Sequence, residues 1–194
     1  MGDLEKQIEE AQKVIEDGGI VVFPTETAYG IAADATNEKS IRKVYEAKKR
    51  PRTKGLTAIV DSLETAEMYA ELSDGERKVI KEFMPGPLTL VAEKKESVPD
   101  NLSKDFAFRI SSAEVADKLA EIGPITATSA NISGKDTSYS IDDISEKLLE
   151  KIDYVIDAGT LNQGPTSTIS SVGIDSVEVF REGPIKKKQI EKVL

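Results

Sequence analysis

Gly19-Ile20-Val21-Val22-Phe23-Pro24-Thr25-Glu26-Thr27-Ala28-Tyr29-Gly30 is the stretch that decides the fold. Its apolar run reads as a buried strand that delivers a Pro-Thr-Glu-Thr turn to its carboxyl end. Ligands of open α/β sheets bind at that position. Two hydroxyls and one carboxylate there can orient a small polar substrate, and Gly30 lets the backbone come close to it.

Working outward, Asp3 is expected to cap a first helix with Leu4, Ile8, Ala11, Val14 and Ile15 on one face, ended by Gly18-Gly19. Residues 20–23 and 30–35 read as strands, and Asn37 caps a helix through 47 with Ile41, Val44 and Tyr45 inward. Further strands are expected at 56–60, 88–92, 106–110, 125–128, 154–156, 167–172 and 176–180. Helices are expected at 63–71, 74–83, from a Ser112 cap to 121, from Ser140 or Asp142 to about 151, and after Pro184. Strands and helices interleave, yet several strands follow one another directly. The expectation is an α/β fold of the α+β type, a twisted mixed β-sheet with helices packed on it, in a single domain over 1–194.

Composition narrows the chemistry. With 194 residues the chain can bury a substantial core, and a second full domain does not fit. Cysteine and histidine are both absent, which removes thiolate metal sites, a cysteine nucleophile and the usual general base. Catalysis must therefore use carboxylates, hydroxyls, lysines, arginines, backbone groups or a bound metal. The net charge of −9 argues against broad nonspecific attraction to nucleic acid, while leaving room for a local basic patch. The amino terminus lacks a signal-peptide pattern and no apolar run reaches membrane-span length, so the expectation is a cytoplasmic protein with no membrane partner.

Against this acidic background, Lys48-Lys49-Arg50-Pro51-Arg52-Thr53-Lys54 holds five cations in seven residues. Taken alone it is a solvated helix end, where cations suit the dipole. Its continuation into the expected strand from Leu56 instead fixes cations at a sheet edge, suited to a polyphosphate. Thr126-Ala127-Thr128-Ser129-Ala130-Asn131-Ile132-Ser133-Gly134 is either a self-satisfied turn or a strand end whose N–H and hydroxyl groups approach phosphate oxygens. It matches neither a P-loop nor a dinucleotide fingerprint. Pro85-Gly86-Pro87-Leu88-Thr89 reads as a rigid turn shaping a wall. Alternation puts Phe106 and Phe108 on one face and Arg109 on the other, either in a buried ion pair or as a clamp on a substrate carboxylate. Gly164-Pro165-Thr166-Ser167-Thr168 and Arg181-Glu182-Gly183-Pro184 complete the polar elements.

In that order, these segments resemble the YrdC-like family from about residue 20 to 183. The resemblance implies a YrdC-like fold and the formation of L-threonylcarbamoyl-AMP and pyrophosphate from L-threonine, bicarbonate (or CO₂) and ATP, with Mg²⁺ carried by ATP. It further implies transfer of the group to adenosine 37 of tRNA by the tRNA-threonylcarbamoyl-transferase machinery. Carried over by position, Thr25, Arg109 and Ser167 hold threonine. Lys48, Arg50 and Lys54 hold ATP phosphates and neutralise charge during the reaction. Ser129, Asn131 and Thr137 hold the nucleotide from the opposite side, Ala127 adds backbone contacts, and Arg181 closes over it. No metal-ligating side chain is expected. Glu26 is a candidate base or metal ligand ranked below a structural role as cap of its turn. Two departures stand out: Thr128 replaces the family's usual proline, and the extra carboxyl-terminal domain of longer members has no room here. The alternative is a double-stranded RNA or tRNA-binding module without catalysis, gripping a backbone with residues 48–54.

Overall fold

The structure is a computed structural model that describes residues 2–173 and 176–194. In chain order the elements are α1 (Asp3–Glu16), β1 (Val21–Pro24), β2 (Tyr29–Ala32), α2 (Glu38–Lys48), β3 (Ala58–Val60), α3 (Leu63–Tyr69) and β4 (Ala70–Glu71). There follow α4 (Asp74–Phe83), β5 (Leu88–Lys94), β6 (Phe106–Ile110), α5 (Glu114–Ala120), β7 (Ile125–Thr126) and β8 (Thr128–Ser129). A 3₁₀ turn (Ile141–Asp143), α6 (Glu146–Leu149), β9 (Tyr154–Val155), β10 (Thr168–Val172), β11 (Val177–Arg181) and α7 (Lys187–Glu191) complete the chain.

The strands form two mixed sheets where a single one was expected. The smaller has the order β8-β2-β1-β9, with β1 antiparallel to β2 and parallel to β9. The larger runs β11-β10-β5-β6-β3-β7, with β4 added beside β5. The expected strand at 125–128 is the reason: it splits at Ala127, giving β7 to one sheet and β8 to the other. Thr57 holds the crossing, accepting the Ala127 N–H on its carbonyl at 2.7 Å and donating its hydroxyl to the Ala127 carbonyl. Both sheets therefore converge on this residue.

β1 is buried on both faces, which explains its unbroken apolar sequence. Val22 faces one core with Ile31, Val44, Leu90 and Phe108. Val21 and Phe23 face a second core with α1 and α5. Leu4 differs from expectation, being 38% exposed at the helix start, and Gly2 rather than Asp3 occupies the cap. Asn37 caps α2 as expected, accepting from the N–H groups of Lys39 and Ser40. The helix expected at 140–151 is interrupted, because Asp143 turns its carboxylate back onto the N–H groups of Tyr139 and Ser140 at 2.9 Å each. The helix expected from a Ser112 cap begins instead at Glu114 behind Ala113. Phe106 and Phe108 stack at 5.3 Å on the face of β6 opposite Arg109, as alternation requires.

Candidate active site

A cleft of about 310 Å³ opens where the two sheets converge, lined by the β1–β2 turn, the 50–57 segment, the Ala127 crossing and the 166–169 segment. Eight of the eleven residues expected at a site line it together: Thr25, Arg50, Arg109, Ala127, Ser129, Thr137, Ser167 and Arg181. The β1–β2 turn is closed by its own threonine. Thr25 Oγ1 accepts from the N–H groups of Thr27 and Ala28 at 3.2 Å each and donates to the Ala28 carbonyl at 2.7 Å.

Glu26 therefore does not cap the turn, contrary to the expectation. Its Oε1 accepts from Arg109 Nη1, and its Oε2 accepts from Ser111 Oγ at 2.5 Å. Arg109 thus realises both readings of its sequence position, as member of an ion pair and as part of the cleft wall. Burial lowers its pKa, an effect that Glu26 opposes; an arginine remains charged throughout. On the adjoining strands, Thr89 lies in register with Ile169, and both line the cleft. Thr89 Oγ1 and Ser167 Oγ lie 2.9 Å apart. Arg181 then straddles Ser167, donating from Nε to its carbonyl and from Nη2 to its hydroxyl, each at 3.0 Å. Burial, and then the like charge of Arg109, lower the Arg181 pKa.

Three of the expected residues lie elsewhere. Lys48 is 1% exposed and does not line the cleft. Its ammonium donates to the Ser129 carbonyl, to the Asn131 carbonyl at 2.8 Å and to Asn131 Oδ1 at 3.2 Å. Burial, followed by repulsion from Arg50, pushes its pKa down to about 7. Asn131 lies behind the wall too, receiving the Ser129 hydroxyl at 2.6 Å. Lys54 is exposed at the rim, with its carbonyl held by Arg50 Nε at 3.0 Å and Tyr45 Oη at 3.1 Å. Arg50 also donates to the Gly55 carbonyl at 2.7 Å, so this arginine folds its own loop while facing the cleft.

Sequence reasoning missed Thr57 as a wall residue and Ser111 as the partner of Glu26. Lys48 did carry a signal: it continues the buried stripe Ile41, Val44, Tyr45 at helical spacing.

Chemically, the cleft combines three guanidinium groups with many hydroxyls, and its lining contains no carboxylate among the described residues. Neither Arg50 nor Arg181 forms an ion pair among those residues, whereas Arg109 has Glu26. Such a surface binds anions through planar, directional donors. Among the described residues, no group of three or more acidic side chains gathers to hold a metal ion, and no helix is long and apolar enough to cross a membrane.

Comparison with known proteins agrees with this architecture. A protein of Methanocaldococcus jannaschii is 42% identical over 185 residues, which cover 94% of this chain and 89% of that protein. The threonylcarbamoyl-AMP synthase of Pyrococcus abyssi is 37% identical over 196 residues, 98% of this chain and 58% of that one. This chain thus spans a little over half of the Pyrococcus protein. The crystal structure of P. abyssi Sua5 complexed with L-threonine superposes with a TM-score of 0.91 at 37% identity, over 98% of this chain and 58% of that chain. The Sua5/YciO/YrdC family model, described as telomere recombination, matches residues 13–183, and the chain belongs to that family.

Proposed function

We propose that this cleft makes threonylcarbamoyl-AMP and pyrophosphate from L-threonine, bicarbonate or CO₂, and ATP. The observation that carries the reading is the meeting of Thr25, Arg109 and Ser167 with Arg50, Ala127, Ser129, Thr137 and Arg181 around one anion-binding hollow. Arg109 takes the threonine carboxylate, with Thr25 and Ser167 supplying hydroxyls around the amino acid. Arg50 and Arg181 take the phosphates, and the 127–131 crossing and Thr137 take the nucleoside side. Lys54 reaches phosphate from the rim. Lys48 and Asn131 serve from behind by holding the Ser129 wall in place.

The amine of threonine attacks CO₂, forming a C–N bond and releasing a proton. A carbamate oxygen then attacks the α-phosphorus, forming an O–P bond as the bond to the pyrophosphate oxygen breaks. Histidine is dispensable, because such a transfer depends on positioning and on neutralising charge at the phosphates. Magnesium enters as part of the substrate MgATP; among the described residues the cleft lining offers hydroxyls and no carboxylate for a resident ion.

The machinery lies within a single domain of residues 1–194 and works in the cytoplasm, where the product passes to proteins that modify adenosine 37 of tRNA. Lys49, Arg52 and Lys54 are exposed at one rim, which favours tRNA or double-stranded RNA as a further contact. Pyrophosphate release should require threonine and bicarbonate together. A protein that releases none, ignores threonine and binds RNA with a steep salt dependence is an RNA-binding module instead.

A further inference from the structure

Glu26 sits behind the cleft wall, and the threonine reading assigns it no task. Both of its oxygens are engaged, one by Arg109 Nη1 and the other by Ser111 Oγ. Its own turn does not need it, because the Thr25 hydroxyl closes residues 25–28. Stability is a weak reason for the pair: taking two charges out of water costs nearly what their attraction returns. Geometry gives a better one. A guanidinium presents five N–H donors in one rigid plane. Among the described residues, Nη1 is the Arg109 guanidinium nitrogen with a protein partner. Holding that nitrogen from behind fixes the plane and leaves the other donors for the cleft that Arg109 lines.

The contact also bridges the sheets. Glu26 belongs to the β1–β2 turn of the smaller sheet, while Arg109 is the penultimate residue of β6 in the larger sheet and Ser111 follows that strand. The latch therefore sets the separation between Thr25 and Arg109 across the hollow. It also supplies one negative charge where Arg109 and Arg181 act on each other as like charges.

We infer that Glu26, steadied by Ser111, is the positioning residue for Arg109, fixing its guanidinium so that the unused N–H edge meets the carboxylate of the amino-acid substrate. This rests on the reading in which Arg109 holds that carboxylate. The test is calorimetric titration of wild type, Glu26→Gln, Ser111→Ala and Arg109→Ala with L-threonine, and with L-threoninamide, which lacks the carboxylate. Glu26→Gln should weaken threonine binding about tenfold, the worth of one oriented charge-assisted hydrogen bond. Threoninamide and ATP affinities should stay within about twofold, a pattern that general loosening of the fold would not give. Ser111→Ala, which keeps the ion pair, should show the same selective pattern at about threefold, and it decides the matter if Glu26→Gln does not fold. Unchanged or tighter threonine binding in the deciding variant, or equal loss of threonine and threoninamide, overturns the inference. Arg109→Ala separates the two levels. If it binds threonine like wild type, the threonine reading itself fails; if it loses threonine while Glu26→Gln does not, only the role of Glu26 falls.

Discussion

Replacing Lys48 by methionine distinguishes a lysine that touches ATP from one that builds the wall behind it. Methionine fills a similar volume without the charge. The substitution strips a donor from three oxygens at a residue 1% exposed: the Ser129 carbonyl, the Asn131 carbonyl and Asn131 Oδ1. The Ser129 carbonyl still accepts the Asn131 N–H at 2.9 Å, and Asn131 Oδ1 still accepts the Ser129 hydroxyl at 2.6 Å. Among the described residues the Asn131 carbonyl is therefore the acceptor left unpaired, at a cost of about 1–3 kcal/mol. Against this stands relief from burying the ammonium. The pKa of about 7 against the ordinary 10.5 corresponds to roughly 4–5 kcal/mol at neutral pH. Relief from burial wins by about 2 kcal/mol, which for a domain of this size raises Tm by about 4–8 °C. Differential scanning calorimetry and ATP titration on the same samples provide the assay, with exposed Lys54→Ala as the control expected to leave Tm within about 1 °C. A Lys48→Met protein at least as stable as wild type that has nonetheless lost tenfold or more in ATP affinity would refute the assignment of Lys48 to the wall.

Three further outcomes are expected. Between pH 7 and 10.5 the unfolded chain keeps a proton on Lys48 that the folded chain has released, so its contribution to stability rises with pH by about 1.4 kcal/mol per unit. The advantage of Lys48→Met over wild type should shrink accordingly in urea titrations from pH 7 to 9, and a constant difference contradicts the lowered pKa. Gly183→Ala should lose more than about 2 kcal/mol in thermal unfolding together with threonine affinity, since overpacking against backbone is costly. Its Cβ would lie 2.5 Å from both the Thr166 carbonyl oxygen and the Thr168 nitrogen, on either side of Ser167; an unshifted Tm refutes this. Arg50→Ala should weaken ATP binding at least about tenfold and threonine binding less than about twofold, by removal of a charge-assisted phosphate contact. Equal losses count against separate threonine and phosphate walls.

Local structure was largely legible in the sequence, because its determinants are local. Asn37 announces α2 through its cap, and the Ile41, Val44, Tyr45 stripe gives its buried face. The 106–110 alternation placed Arg109 opposite the two phenylalanines. The division into two sheets was hidden, because it turns on one residue, Ala127, whose partner Thr57 lies 70 residues away. Glu26 and Arg109 are 83 residues apart, and nothing in either neighbourhood names the other. Lys48 was misplaced for another reason: its charge suggested solvent or phosphate, while its helical phase pointed to the interior. There the position outweighed the chemistry of the side chain, because carbonyl groups were waiting to receive the ammonium.

The central claim is that one hollow activates threonine with ATP. Purified protein incubated with MgATP, L-threonine and ¹³C-labelled bicarbonate should yield, by mass spectrometry, a mixed anhydride of AMP and N-carboxythreonine carrying the label, and none when any one component is omitted. ATP turnover that ignores threonine and incorporates no label would contradict the account.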